Sequence, residues 1–488
     1  MTSGTGDGLL GPGGAAEPRS AFVREMQARG LVQQCTDLSG LDAHLFAASG
    51  ASGASGAGGA GPDRLAYVGF DPTADSLTIG NLVGIMALAR WQRAGHTPVA
   101  VMGGATGLIG DPSGKTSERT LSSREDIAAR VERIAGIFRN GELFERVEGG
   151  GGAASAGGGA GALRIVNNIE WLGELGFLDA LREIGKHFSV NMMIQKDSVK
   201  ERLNNRDQGI SYTEFSYMLL QAYDFAWLHE YKGVTVQMGG SDQYGNIVVG
   251  LDLIGKRFHS QQGVRQAAQQ GGQHAVAPKG FGLTWPLMTK ADGTKFGKSE
   301  TGAVWLSADR TSPYAYYQFW LNAADADVGR LLHTYTFLEV DRIAALLAGH
   351  AANPGAREAQ RTLAREATRI IHGPSELARA EAAGAALFSG DVRGLDAATL
   401  GEVFAGVAST DHARGLLDGE GALLLDVLAT SSLAKSKSEA RQFLGEGSVS
   451  VNGVKADVAR RLIAADLLAG GVITLRRGKK TWHLTRWL

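Results

Sequence analysis

The stretch KADGTKFGKSE, Lys290 to Glu300, sets Lys295 and Lys298 three positions apart on either side of a Phe-Gly pair. Two positive charges on a glycine-hinged loop suit a polyphosphate, because they can close over it and stabilise the charge that develops as a leaving group departs. A second stretch, FDPTADSLTIGN, Phe70 to Asn81, joins an apolar run to an amphipathic one. The free amides and dipole of a helix that begins there favour an anion. Gly80 would let a phosphate approach the backbone, and Thr73, Thr78 and Asn81 would supply uncharged donors. A third feature is Tyr217, Gln221 and Asp224, spaced i, i+4 and i+7 in an otherwise apolar segment. On a helix they share one face, and a polar face turned inward would hold a small polar ligand. Solvated loop lysines and a solvent-facing stripe are the competing readings of these residues taken singly.

Two stretches approach a Walker phosphate loop, GTKFGKS and GDPSGKT, but each has three residues between its glycines where that motif requires four. GGATGLIG contains no G-x-G-x-x-G. The spacing therefore disfavours a P-loop nucleoside triphosphatase and a nicotinamide-dependent enzyme.

The elements that must position these groups follow from the alternation of apolar runs. LAYVGF reads as a strand, NLVGIMALARWQRAG as a helix closed by Gly95, and PVAVM as a strand before a glycine-rich loop. A second set runs LRIVNN, then the helical SYTEFSYMLLQAYDFAWLHE, then VTVQM before GGSDQYGN. The expectation is an α/β catalytic domain with a doubly wound parallel (Rossmann-like) sheet at 62–303, its ligands at the carboxyl ends of the strands, in the loops after Phe70, Met102 and Met238. Residues 1–61 are expected to be an extension with a helical segment, 304–416 a helical domain, and 417–488 a small α+β domain in which KSKSEARQFLGEG is a helix and VSVNGVKA a hairpin on an Asn-Gly turn. Two Ala/Gly/Ser-rich insertions, Ala48 to Gly61 and Gly149 to Ala162, have no composition for a core.

The 488 residues carry a formal charge of −1, so any polyanion site must be local. No apolar run approaches the roughly 18 residues of a membrane span. A single cysteine, Cys35, allows no intramolecular disulfide and fits a reducing compartment. The first twenty residues have neither the apolar core of a secretory signal nor the charge of a transit peptide. From Ser432 onward eleven Lys and Arg face four Asp and Glu, a local net charge of +7 that suits RNA phosphates. No Cys/His cluster predicts a protein-held metal.

FDPTADSLTIGN and KFGKS resemble the two signature motifs of the class I aminoacyl-tRNA synthetases. YVGFDPTADSL, GGATGLIGDPSGKTSERTL, KHFSVNMM, SYTEFSYMLLQAYDF, QMGGSDQYGNI, FGLTWPLMTKADGTKFGKSE and TSPYAYYQFWLN narrow the likeness to the bacterial-type tyrosyl-tRNA synthetase family, over about Phe22 to Leu488 apart from the two insertions. The resemblance implies that Tyr67 and Asp224 bind a tyrosine phenol, that Tyr217, Gln221 and Asp111 hold its ammonium group, and that Gln237 and Gln243 complete that pocket. It implies that Gly69, Asp71, Thr73, Gly80, Asn81 and Asp242 meet ATP, that Lys295 and Lys298 grip its leaving pyrophosphate, and that Ser299 closes their loop. The catalytic set it implies is Thr73, Thr78, Asn81, Lys295 and Lys298. The family usually has histidine where Thr78 stands, and tryptophan where Tyr244 stands. SKSEARQFLGEGSVSVNG resembles a small RNA-binding domain, which points to Lys435, Lys437, Arg441, Arg460 and Arg461, and 304–416 resembles the family's anticodon-binding domain.

The implied reaction is ATP-dependent ligation of tyrosine to tRNA(Tyr) by a homodimer, with Mg2+ arriving on ATP and no membrane partner. A synthetase-derived RNA-binding or splicing factor with little activity is the alternative, motivated by Thr78 and the insertions. A class I nucleotidyltransferase for another substrate is disfavoured by Tyr67 with Asp224. The insertions suggest a mitochondrial matrix or chloroplast stroma, with a bacterial cytoplasm as the other compartment.

Overall fold

The computed structural model describes residues 17–48, 63–111, 122–139, 142–145, 147–148, 161–196, 199–200, 203, 210–268, 279–291, 293–294, 296–299, 302–478 and 481–488. They form two units, one of residues 1–306 with 326–351, the other of 307–325 with 352–488.

In the first unit, β1 (Gln34–Cys35), β2 (Leu65–Phe70), β3 (Thr97–Met102), β4 (Arg164–Asn167), β5 (Val234–Gly240) and β6 (Phe281–Trp285) make one sheet in the order β1-β6-β5-β2-β3-β4. Every pairing is parallel except that of β1 with β6. β3 and β6 are buried along their whole length, as strands covered on both faces must be. The order runs outward from β2 through β3 and β4 on one side and from β5 to β6 on the other. That reversal between β2 and β5 opens a crevice at the carboxyl ends of the strands.

The helix Ile79–Arg93, which follows β2, is buried at Ile79 and at every position from Leu82 to Gln92. A helix apolar on all sides can only be an internal one, and it carries its amino terminus rigidly to the crevice. The helix Tyr212–Lys232 starts at a Ser211 cap that accepts from the Glu214 amide at 3.2 Å, and ends at Gly233 with φ 72°. A left-handed residue there is what stops the helix and turns the chain into β5.

The amino-terminal segment is more than an extension to this unit. Gln34 and Cys35 pair with Thr284 and Leu283 at the sheet edge, and Phe22 packs edge-on against Trp91 with ring centroids 4.7 Å apart. The ends of both Ala/Gly/Ser stretches are also built in. Ala48 is buried, and Gly161 donates its amide to Thr97 Oγ1 at 2.8 Å while its carbonyl accepts from Gln92 Nε2 at 2.8 Å. The remainder of the two insertions lies outside the described residues.

The helical stretch expected at 304–416 is divided between the units, because 326–351 belong with the sheet. In the second unit the helix Pro313–Leu321 lies against the long helix Glu358–Ser389, which is broken at Gly373 (φ 83°, ψ 170°) just before Pro374. A five-stranded sheet follows, with order 454–455, 449–451, 472–477, 481–487 and 409–412. The hairpin turns on Asn452 (φ 47°) and Gly453 (φ 89°), both left-handed, as an Asn-Gly turn with strand-matching twist requires. Ser409–His412 pairs in parallel with Leu484–Trp487, so the expected boundary at 417 cuts through this sheet.

Candidate active site

The crevice at the reversal of strand order is a cavity of about 380 Å³. Thirteen of the expected residues line it: Tyr67, Gly69, Asp71, Thr73, Gly80, Asn81, Asp111, Tyr217, Gln221, Asp224, Gln237, Asp242 and Gln243. They come from β2 and its loop, the start of the Ile79–Arg93 helix, the loop after β3, the inward face of the Tyr212–Lys232 helix, and β5 with the turn that follows it. The i, i+4, i+7 stripe therefore faces inward, with Tyr217 and Asp224 buried.

One side of the cavity is a continuous hydrogen-bonded chain. Tyr217 donates its hydroxyl to Asp71 Oδ2 at 2.8 Å, and Thr106 donates to Asp71 Oδ1 at 2.7 Å. Asn168 Nδ2 donates to Thr106 Oγ1 and to Asp224 Oδ2, both at 3.0 Å, while Trp171 Nε1 donates to Asp224 Oδ1 at 2.7 Å. A second set joins Gln243 Nε2 to Asp111 Oδ2 at 3.0 Å, Gln221 Nε2 to Gln243 Oε1 at 3.2 Å, and Asn246 Nδ2 to Gln221 Oε1 at 2.9 Å.

Asn168, Trp171, Thr106 and Asn246 are the members sequence reasoning missed. Asn168 was findable in part. It ends the run LRIVNN, at the carboxyl end of β4, where ligand loops of such sheets begin. Its side chain also ties down the loop after β3, accepting from the Ala105 amide at 2.7 Å.

Burial raises the Asp224 carboxyl to about 7, against the two donors from Asn168 and Trp171 that favour its charge. Burial likewise raises the Tyr67 and Tyr217 phenols, with Asp224 adding to the first and Asp71 to the second. Tyr67 Oη and Gln237 Oε1 are buried and have no hydrogen-bond partner among the described residues. A buried polar atom without a partner costs on the order of 1–3 kcal/mol, so a ligand with a hydroxyl at this end of the cavity relieves an existing penalty.

A hydroxyl donor placed here binds best when Asp224 is ionised, since both its oxygens already accept from fixed donors. With a raised pKa, protonation of the free site becomes substantial as pH falls through 7. The KM for a phenolic ligand should then rise, by roughly tenfold between pH 8 and pH 6. A KM that stays flat over this range would contradict the assignment.

Thr78 departs from expectation. It does not line the cavity: its backbone amide and its hydroxyl both donate to Asn81 Oδ1, each at 3.0 Å. Its hydroxyl is thus engaged in holding the first turn of the helix and the side chain of Asn81, which does line the cavity. The lysine loop approaches the same turn. Gly297 has φ 95°, and a Cβ there would lie 3.2 Å from Ile79 Cγ1 and 3.9 Å from the Gly80 amide nitrogen. Lys298–Ser299 pairs with Gly302–Ala303 as a short ribbon, and Thr78 bridges to Trp305. Lys295 lies outside the described residues, as do the side chains of Lys298 and Ser299.

Of the expected RNA contacts, Lys435 and Arg441 are exposed. The other three are in ion pairs: Lys437 with Asp426 at 2.7 Å, Arg461 with Glu420 at 3.2 Å, and Arg460 with Asp466. Asp426 and Glu420 precede the span over which the local charge was counted, so the module is less basic than that count implies. Among the described residues no group of three or more His, Cys, Asp or Glu is placed to hold a metal ion, and no helix is long and apolar enough to cross a membrane.

Comparison with known proteins accords with this geometry. A family model described as class I tRNA synthetases for W and Y matches residues 63–389, and one described as the SYY-like carboxyl-terminal domain of tyrosine–tRNA ligase matches 400–485. A tyrosine–tRNA ligase of Roseiflexus castenholzii is 48% identical over 421 residues, covering 86% of this chain and 92% of that one. The chain belongs to the tyrosine–tRNA ligase family of class I synthetases. A family member from Dechloromonas aromatica is 46% identical over 471 residues, covering 96% of this chain and 99% of its own. Among solved structures, carboxyl-terminally truncated mitochondrial tyrosyl-tRNA synthetases of Coccidioides posadasii and Aspergillus nidulans align at 30% and 28% identity with TM-scores of 0.58 and 0.62. They cover 74% and 76% of this chain, and 90% and 95% of their own. The carboxyl-terminal match at 400–485 agrees with a sheet that begins before 417.

Proposed function

We infer that the chain activates L-tyrosine with ATP and transfers the tyrosyl group to the 3′ end of tRNA(Tyr). The observation that carries this reading is the buried end of the cavity, where Asp224 is held by two fixed donors and Tyr67 Oη has no partner among the described residues. That end matches a phenol hydroxyl. The anionic middle, formed by Asp71 with Tyr217, Gln221 and Asp111, suits an ammonium group. The outer part, with Gly80 and Asn81 at a helix amino terminus and Asp242 in the turn after β5, suits a nucleoside triphosphate.

In the proposed first step, the tyrosine carboxylate attacks the α-phosphate of ATP and pyrophosphate leaves; in the second, a terminal ribose hydroxyl of tRNA displaces AMP. No side-chain nucleophile is needed, so the protein contributes positioning and electrostatics. Thr73, Asn81, Lys295 and Lys298 are proposed to meet the phosphates. Thr78 would act by holding Asn81, and Ser299 by closing the lysine loop. Mg2+ would enter with ATP. Incubating the purified chain with labelled tyrosine, ATP and total tRNA tests the reading: acid-precipitable label must depend on all three.

The second unit is proposed to carry the tRNA contacts away from the reacting atoms, with Lys435 and Arg441 on phosphates. Reversing both charges in the intact chain should raise the KM for tRNA by about tenfold and flatten its salt dependence, while adenylate formation stays unchanged. Unchanged charging at every salt concentration would remove RNA binding from this face.

We also propose a homodimer. Phe177, Leu178, Val190, Met192 and Tyr212 are each more than half exposed within one short span of chain, a concentration of apolar surface that suits a second copy. Leu178→Asp should shift the sedimentation coefficient to that of a monomer, and a coefficient equal to the parent's would place the interface elsewhere. The bacterial sources of the two relatives named above favour a bacterial cytoplasm over the organellar compartment suggested by the insertions.

A further inference from the structure

The helix Asp325–Tyr335 leaves its last carbonyls without helical partners, as every helix does, and two arginines meet them. Arg90 Nη2 donates to the carbonyls of His333 at 3.1 Å and of Thr334 and Thr336 at 2.9 Å. Arg29 donates to those of His333 at 3.2 Å and Leu338 at 2.8 Å. Glu25 lies between the two cations, 2.9 Å from Arg29 Nε and 3.3 Å from Arg90 Nε. Both arginines are buried, so the attraction between cation and carbonyl dipoles is little screened. The end of this helix is therefore held in one orientation.

That orientation directs Tyr335, which is 0% exposed, between the two signature loops. Its hydroxyl donates to the Ile79 carbonyl at 3.1 Å, in the first turn of the helix whose Gly80 and Asn81 line the cavity. Its ring stacks on Phe296 with centroids 5.9 Å apart and planes inclined by 24°. Phe296 stands between Lys295 and Lys298 in the lysine loop.

We propose that Tyr335 is a positioning residue for adenylate formation, fixing the lysine loop against the phosphate-binding turn so that both present their groups to one triphosphate. Tyr335 does not line the cavity and acts through Ile79 and Phe296. The proposal rests on the ATP-dependent activation proposed above. Misplacement of a loop by about 1 Å can cost a hundredfold in rate, without any change in the reacting groups.

Single-turnover adenylate formation by the full-length chain tests this. Tyr335→Phe, which keeps the ring and loses the hydroxyl, should slow the step by about tenfold while the Kd for tyrosine stays within about twofold of the parent's. Tyr335→Leu, which also loses the stack, should slow it further. A purely structural role predicts additive losses with Lys298→Ala; the positioning role predicts that Lys298→Ala costs less in the Tyr335→Phe background than in the parent. If Tyr335→Leu does not fold, Tyr335→Phe alone decides. An unaltered rate in Tyr335→Phe, or strict additivity, overturns the proposal. A parent chain with no tyrosine activation would instead overturn the function on which it rests.

Discussion

Asp224→Ala should erase most of the preference for tyrosine over phenylalanine, lowering the ratio of their kcat/KM values by roughly a hundredfold. The loss is expected to fall on tyrosine alone. Asp224 is a buried carboxylate of the cavity lining, and its oxygens are held in place by Asn168 and Trp171. A hydrogen bond to a buried ion contributes more than one between neutral groups, and phenylalanine has no hydroxyl to gain it. The substitution also leaves two donors without their acceptor, so thermal unfolding should accompany the kinetics. A selectivity ratio equal to the parent's, in a folded variant, would mean that the phenol binds elsewhere.

Gly103→Ala should be almost as damaging, although it removes no functional group. A Cβ at Gly103 would lie 2.1 Å from Asp71 Oδ1 and 2.7 Å from Thr106 Oγ1, with the Asp71 Cα at 3.1 Å. The Asp71 side chain must move, and with it go the bonds from Tyr217 and Thr106 that hold the side of the cavity proposed to face the ammonium group. We expect kcat/KM for tyrosine to fall by about tenfold to a hundredfold, mostly through KM. Parent-like kinetics would show that the loop after β3 yields without disturbing Asp71.

These two sites differ in how far they could be read from the sequence. The stripe of Tyr217, Gln221 and Asp224 was legible because helical periodicity is local: three residues spaced i, i+4, i+7 share a face whatever surrounds them. The doubly wound sheet was legible for a similar reason, since alternating apolar runs give the strands and their connections, though not the strand order that sets the reversal between β2 and β5. The partners of the stripe were not. Asn168 and Trp171 reach Asp224 across 56 and 53 residues, a distance over which no period connects them. Gln34 and Cys35 pair with residues about 250 positions later, and two residues are too short a run to register as a strand.

Thr78 shows another limit. Its residue type suggested a donor aimed at phosphate, but its hydroxyl donates to Asn81, three residues away. A hydroxyl at the start of a helix competes between its own first turn and a ligand, and sequence alone does not say which wins. The basic carboxyl-terminal module misled in the same way. Its charge was counted along the chain, whereas Asp426 and Glu420 meet Lys437 and Arg461 in space. The helices expected as one domain at 304–416 do not all fall in one unit, since 326–351 group with 1–306, and consecutive helices of similar pattern carry no mark of which unit they join.

Tyrosine-driven exchange of labelled pyrophosphate into ATP is the most direct test of the central claim, because it reports adenylate formation without requiring tRNA. The chain should catalyse exchange with tyrosine and at a far lower rate with phenylalanine or tryptophan, and Asp224→Ala should bring tyrosine close to phenylalanine. Exchange driven as well by tryptophan as by tyrosine, or no exchange by the folded parent with any of the three, would contradict the account.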